Sequence, residues 1–475
     1  MTSAVVVGSG PNGLVAAITL AQHGVDVTVL EAKDRVGGGA RSSQLTLPGL
    51  IHDECSAFHP TGAASPVLQR LDLQDHGLRW RWPEVQLAHP LEGGRAGVLW
   101  RDVDRTAAGM GSDGKEWTSL FRPLARHFDA LAEDFFKPVV HVPAHPVTMA
   151  RFGLSALLPA SRLVRRFTTP EARALFGGVA AHVFTSLHAP LSSSVGLLLT
   201  AAGHAYGWPV AEGGSQAITD ALVAKLTALG GVIQTGVEVG AFEQLGDPDL
   251  VLLETTPQAA AAILGDRLTR TVKRSYARYR YGPAAFKVDL AVQGHIPWDN
   301  PDVRRAGTVH LGGSFEETAA VEGQIVDGTM PERPFVLLGQ QYLADPSRSE
   351  GDLHPIWAYA HVPNGYAGDA TQAIIAQIER FAPGLRQQIR QVVTRDVSAM
   401  QRYNANDVGG DISAGANSGL QIAMRPRIAV DPYATGVPGV YLCSSATPPG
   451  AGVHGMCGYN AALSALTQVT AEDAS

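Results

Sequence analysis

Four apolar residues, Ala4, Val5, Val6 and Val7, stand near the start of the chain and stop at a glycine. Apolar positions then recur at helical spacing (Leu14, Ala17, Ile18, Ala21), and a second short run, Val27 to Leu30, stops at Glu31. The pattern predicts a strand, a tight turn, a helix and a second strand. Helical spacing dominates from about residue 105 to 205, with Leu120, Leu124, Phe128, Leu131 and Phe135 on one face. The pattern then predicts a helix over 217–229, a strand over Val232–Thr235 and another over Leu250–Leu253. From about 275 to 420 the chain reads as strand-rich. Phe286, Val288 and Leu290 alternate with Lys287 and Asp289, which puts the two charged residues on one face of a half-buried strand. A strand over 439–443, a loop over 444–452 and a last helix opening at 453–462 complete the pattern.

The first turn carries chemistry. Gly8, Gly10 and Gly13 form G-x-G-x-x-G around Ser9, Pro11 and Asn12, between a predicted strand and a predicted helix. Gly8 permits the turn, Gly10 lets backbone approach a pyrophosphate, and Gly13 lets helix and strand pack closely. The exposed N–H groups and dipole of the helix favour phosphate charge there. Glu31 ends the second strand at the interval where a carboxylate accepts hydrogen bonds from an adenosine ribose. Ala32 follows it, and a second glycine cluster containing Gly38 and Gly39 leads to Arg41, whose guanidinium is expected on a diphosphate.

The continuation E-x-x-x-R-x-G-G after the second strand resembles the flavoenzymes that bind FAD near their N-terminus, the group of amine oxidases and phytoene desaturases. The C-terminal stretch is similar to phytoene dehydrogenase-like proteins, in the branch of the pyridine nucleotide-disulfide oxidoreductase domain-containing protein 2 type. It comprises Gln421 to Pro426, then Ser444-Ser445-Ala446-Thr447-Pro448-Pro449-Gly450, then Val453-His454-Gly455-Met456. The dithiol motif that such a name suggests is absent from the sequence. The resemblance covers the whole chain and implies an α/β architecture: a Rossmann-type FAD-binding domain from discontinuous segments, an inserted mixed-sheet substrate domain and a helical subdomain. The expected boundaries are 1–104, 205–272 and 421–475 for the FAD-binding domain, 105–204 for the helical subdomain and 273–420 for the substrate domain.

The resemblance also assigns roles. Val237 or Val239 is expected beside the adenine, and the last helix, opening at Gly455 and Met456, beside the flavin. Lys287 is expected to face the flavin, with a surface pair to Asp289 as the alternative. Many relatives end the last strand in Gly-Asp, where the Asp meets the ribitol; here Ser444 and Ser445 stand instead. Lys287 and His454 are the candidate acid–base residues. His59, which precedes a proline, reads as a loop hydrogen-bonder, and Tyr206, Trp208, Tyr359 and His361 read as core or rim residues.

Composition narrows the partners. The 475 residues exceed what one hydrophobic core normally serves. A net charge of -7 disfavours a nucleic-acid partner, and the 45% hydrophobic and 17% charged content is that of a globular protein. Cys55, Cys443 and Cys457 are widely spaced, with no zinc or dithiol pattern, so no metal site is expected. The N-terminal residues run straight into a strand, without a signal-peptide pattern, and no apolar run is long enough to span a bilayer. A cytoplasmic location is the expectation. Arg151, Arg162, Arg165, Arg166 and Arg173 lie among Phe152, Leu154, Leu157, Leu158, Leu163 and Phe167. That pattern suits either peripheral contact with an anionic membrane or a solvated helix face.

The expected activity is that of an FAD-dependent oxidoreductase working on C–C or C=C bonds of an apolar, isoprenoid or lipid-like molecule, as desaturase, saturase or isomerase. The alternatives are a flavin amine or amino-acid oxidase, and a lipid or prenyl escort protein without catalysis. Sequence leaves the oligomeric state open.

Overall fold

The structure, a computed structural model, describes residues 2–472. Five parallel strands form one sheet in the order Val440–Leu442, Leu250–Leu253, Ser3–Val7, Asp26–Glu31, Val232–Thr235. Val7 stands opposite Leu253 on one side and Leu30 on the other. The chain therefore leaves these three strands at adjacent points, Gly8, Glu254 and Glu31, along the carboxyl edge where parallel sheets bind ligands. Alternation splits each strand between two cores. Val6, Val27, Val29 and Leu252 pack with the helices Pro11–Gln22, Gln216–Ala228 and Met456–Glu472. Val7, Leu30, Val251, Leu253 and Leu442 pack with Pro257–Leu264 and Arg270–Ala277.

The last helix crosses the first at Gly458, where a Cβ would lie 1.8 Å from the Asn12 carbonyl oxygen. Only a glycine lets the two backbones approach so closely.

A second sheet has seven strands in the order Ile389–Arg395, Ala284–Gln293, Leu353–Val362, Val336–Gly339, Ala306–Leu311, Val85–Pro90, Ala96–Leu99. All pairs are antiparallel except Ala306–Leu311 with Val85–Pro90. Two expected boundaries shift. The strands Val85–Pro90 and Ala96–Leu99, placed in the first FAD-binding segment, belong to this mixed sheet. Tyr276 and Tyr279, placed in the substrate domain, pack beneath the parallel sheet. Ala284–Gln293 lies between two partners and is buried on both faces, not half-buried as alternation suggested. Phe286, Val288, Leu290 and Val292 do share one core, opposite Lys287 and Asp289.

Helices fill the stretch from Val103–Ala108 to Ser193–Ala205, and their buried Trp117, Phe121, Phe128 and Phe176 join the core shared with the parallel sheet. The arginine-rich stretch is not one helix. It forms Pro146–Ala156, Ala160–Leu163 and Pro170–Ala180, because Pro159 and Pro170 sit where new helices begin. Arg166 pairs with Glu116 and Arg173 with Glu316, whereas Arg151, Arg162 and Arg165 are exposed. Among the described residues no helix is long and apolar enough to cross a membrane.

Candidate active site

The glycine turn is built as the motif requires, with φ +105° at Gly8. Its N–H groups meet carboxylates from the neighbouring strands. Glu31 accepts from the Ser9 N–H at 3.0 Å and from the Lys33 N–H at 2.9 Å. Glu254 accepts from the Gly10 N–H at 2.7 Å and the Asn12 N–H at 3.1 Å. A Cβ on Gly10 or Gly13 would lie 2.6 or 2.5 Å from a Glu254 oxygen, so the absent side chains leave room for this carboxylate. Burial raises the Glu254 pKa to about 7 against the opposing N–H bonds, and the charge of Glu31 pushes the same way. Sequence reading passed over Glu254. The available signal was an ionisable residue directly after four apolar ones, where a predicted strand ends.

A cavity of about 950 Å³ runs from this turn between the two sheets. One end is lined by Glu31, Ala32, Val237 and Val239, and the middle by Gly10, Gly38, Gly39, Ser444 and Ser445. Residues 448–454 line the next stretch. The arrangement fits an extended dinucleotide: a carboxylate and two valines for the nucleoside, backbone and hydroxyl groups for the diphosphate, and a loop at a helix N-terminus for the ring. Arg41 lines the cavity but is tied down. Its guanidinium lies 3.6 Å from Glu31 and donates to the carbonyls of Val36 and Arg35. Ser445 Oγ accepts from the Asn12 amide at 3.2 Å, linking the last strand's loop to the first helix.

Several expected placements are corrected. Lys287 is not among the cavity-lining residues; it is buried and ion-paired with Asp289, which faces His52 at 3.3 Å. The strand that carries it is covered on both faces, so its cation needs a buried counter-charge. Burial pushes the Lys287 pKa down, partly offset by Asp289. Cys55 lines the cavity, its thiol pushed up to about 12 by burial.

Gly455 and Met456 are not among the lining residues either. Gly455 packs on Val15, and the Met456 N–H donates to His454 Nδ1 at 3.1 Å. The loop before them takes that place. His454 does line the cavity, but burial lowers its pKa to about 4, leaving a neutral ring packed 5.1 Å from Phe136.

Arg425 also escaped sequence reading as a site residue, although its stretch was recognised. Its guanidinium is buried beside the cavity and donates to the Ser445 carbonyl and the Asn417 amide oxygen.

Beyond the loop the cavity widens into an arm walled by Phe58, Phe184, Trp208, Leu337, Trp357 and Tyr359. Tyr359 and Trp208 are thus cavity residues, whereas Tyr206 and His361 are not among its lining. His59 lies outside it, hydrogen-bonded to Ser215 at 2.9 Å as a loop residue should be. His182 and Thr308 are among the polar residues that line the cavity. His182 shares a hydrogen bond with His310 at 3.0 Å, and burial lowers its pKa to about 3, so it is uncharged. The cavity reaches the surface at Val139 and Leu157, which line it and are 59% and 62% exposed.

Known proteins share this architecture. The chain is 26% identical to pyridine nucleotide-disulfide oxidoreductase domain-containing protein 2 of Mus musculus, over 97% of this chain and 92% of that protein. Its fold is similar to that of an oxidoreductase from Methanosarcina mazei, with TM-score 0.64 and 16% identity over 98% of this chain and 100% of the other. It is also similar to cyclohexylamine oxidase from Brevibacterium oxydans IH-35A, with TM-score 0.61 and 16% identity over 99% of both chains. The model of the family of flavin-containing amine oxidoreductases matches residues 12–462. The chain belongs to that family, as an FAD-dependent oxidoreductase of the amine oxidase and phytoene desaturase superfamily.

Proposed function

We propose that this oxidoreductase acts on C–C or C=C bonds of an apolar, isoprenoid or lipid-like molecule, as a desaturase, saturase or isomerase. The observation that carries this reading is the substrate arm. Its walls are chiefly aromatic and aliphatic, and burial keeps His182 among them uncharged. Holding an ammonium substrate in such a buried arm would call for an ionised carboxylate beside it. Five carboxylates line the cavity among the described residues: Glu31 and Glu254 are held at the nucleotide end, Glu238 stands between Val237 and Val239, Asp134 caps the backbone of Ala144 and His145, and burial raises the Asp407 pKa well above the usual carboxylate range, which favours its neutral form.

FAD supplies the two-electron acceptor. The protein's own contributions are orientation and exclusion of water. Phe184, Trp208, Trp357 and Tyr359 hold a hydrocarbon by burial, and ring-to-ring packing of Phe184 on His361 at 3.9 Å fixes one wall. Arg425 and the loop it anchors close the side nearest the last helix.

A surface feature supports a lipid source. Val139, Val140, Val142, Val147, Leu154 and Leu157 are all exposed around the outlet, Val142 to 91%. Arg151, Arg162 and Arg165 stand in the same segment. Such a face suits peripheral contact with an anionic bilayer from which the substrate enters. The test is to purify the protein from lipid-rich cells, extract it with solvent and identify co-purified molecules by mass. An isoprenoid or acyl lipid at near-stoichiometric amount supports the reading, and a bound polyamine or amino acid overturns it.

A further inference from the structure

The cavity holds one feature that cofactor binding alone does not call for: a carboxylate among the N–H groups intended for the pyrophosphate. Glu254 occupies Gly10 N–H at 2.7 Å and Asn12 N–H at 3.1 Å, at the N-terminus of the helix Pro11–Gln22. The same carboxylate lines the cavity. An ionised side chain there would set a negative charge against a diphosphate in a site shielded from water, where Coulomb repulsion is strong. A neutral carboxylic acid removes that repulsion and offers an O–H donor to a phosphate oxygen.

We propose that Glu254 is a positioning residue for FAD, and that seating the diphosphate is coupled to uptake of one proton by its carboxylate. The proton comes from solvent; no bond other than the O–H is formed. A side chain already titrating near pH 7 makes the coupling operate in the neutral range, with affinity falling as pH rises.

The other ionisable groups facing this point leave the assignment to Glu254. Glu31, on the adjacent strand, is held by the Ser9 and Lys33 N–H groups and faces Arg41. Cys443 and Cys457 feel the Glu254 charge, but burial pushes both thiols far up, Cys457 to about 12. Asp407 follows Asn406, whose side chain donates to the Glu254 carbonyl, and burial holds Asp407 well above the usual carboxylate range.

The test uses holoenzyme stripped of FAD and retitrated, followed by quenching of flavin fluorescence. For the native chain, Kd should rise about tenfold per pH unit above about pH 7. Calorimetry in two buffers of different ionisation heat should report uptake of about one proton per FAD at about pH 8. Glu254→Gln should abolish the slope and bind FAD at least about tenfold more tightly at about pH 8.5, whereas Asp407→Asn should keep the slope. A flat pH profile, zero proton uptake in the native chain, a slope unchanged in E254Q, or a slope lost in D407N would each overturn the proposal. The proton-uptake measurement needs no variant, so it decides the matter even if E254Q does not fold. These readouts concern the cofactor alone and stand apart from the identity of the substrate.

Discussion

Replacing Gly458 by alanine probes the junction on which the cofactor site is built. The last helix, Met456–Glu472, and the first, Pro11–Gln22, meet at this glycine. A Cβ there would lie 1.8 Å from the Asn12 carbonyl oxygen, 2.7 Å from the Asn12 carbonyl carbon and 3.1 Å from the Ala16 nitrogen. All three are backbone atoms, so no side chain can swing away. Restoring ordinary contact requires the helices to part by about 1.6 Å. Overpacking of this kind usually costs about 1–3 kcal/mol, and the rigid obstacle puts G458A near or above about 3 kcal/mol. The displacement would also act on the site, because Asn12 holds both the Glu254 carboxylate and Ser445. Thermal melting followed by circular dichroism, with flavin absorbance of the same gel-filtered sample, reads both effects. The expected result is a melting temperature lowered by several degrees and a reduced FAD content. A variant that melts within about one degree of the native chain and keeps a full complement of FAD would refute the close crossing of these helices.

Further outcomes follow from the same geometry. Arg348 is buried, ion-paired with Asp53 at 2.5 Å and with Asp345 at 3.1 Å. Arg348→Met should cost about 3–5 kcal/mol in urea unfolding at neutral pH, because it strands a buried carboxylate. Burial alone would raise the Asp53 pKa, but Arg348 and the hydrogen bonds from Ser215 and Ser42 outweigh it and hold it below 3.8. That stabilisation is full above the ordinary carboxylate pKa and is lost as pH falls through the lowered one, so the gap between native and variant proteins should narrow toward acid. Phe184→Ala should raise KM for an apolar substrate about tenfold, with kcat less affected, since the ring contributes apolar contact along the arm. Val142→Asp combined with Leu154→Asp should abolish sedimentation with anionic vesicles while leaving the melting temperature within about one degree, since both side chains are exposed.

Much of the frame was legible because local pattern and local chemistry agree. Val232–Thr235 and Leu250–Leu253 form where apolar runs end in turns, and Gly8, Gly10 and Glu31 lie at the carboxyl edge of one sheet. What sequence does not carry is pairing between distant stretches. Nothing local in Val85–Pro90 distinguishes a strand of the first sheet from one that adds beside Ala306–Leu311. Lys287 shows the same limit. Alternation put it correctly beside Asp289, but only the neighbouring strands decide that the face is sealed and the cation neutralised. Glu254 was hidden because it belongs to no motif, and Arg425 because its recognised stretch does not say which side chain turns inward: each becomes a site residue through what the fold places against it, the first glycine turn in one case and the Ser445 loop in the other.

A flavin site assembled from distant segments is proposed to serve an apolar substrate. Anaerobic mixing of the FAD-loaded protein with a panel of polyenes, acyl lipids, primary amines and amino acids, followed by loss of the flavin absorbance band, tests it most directly. A member of the lipid panel should bleach the flavin, and the amines should not. Rapid bleaching by an amine, with hydrogen peroxide released when air is admitted, would contradict it.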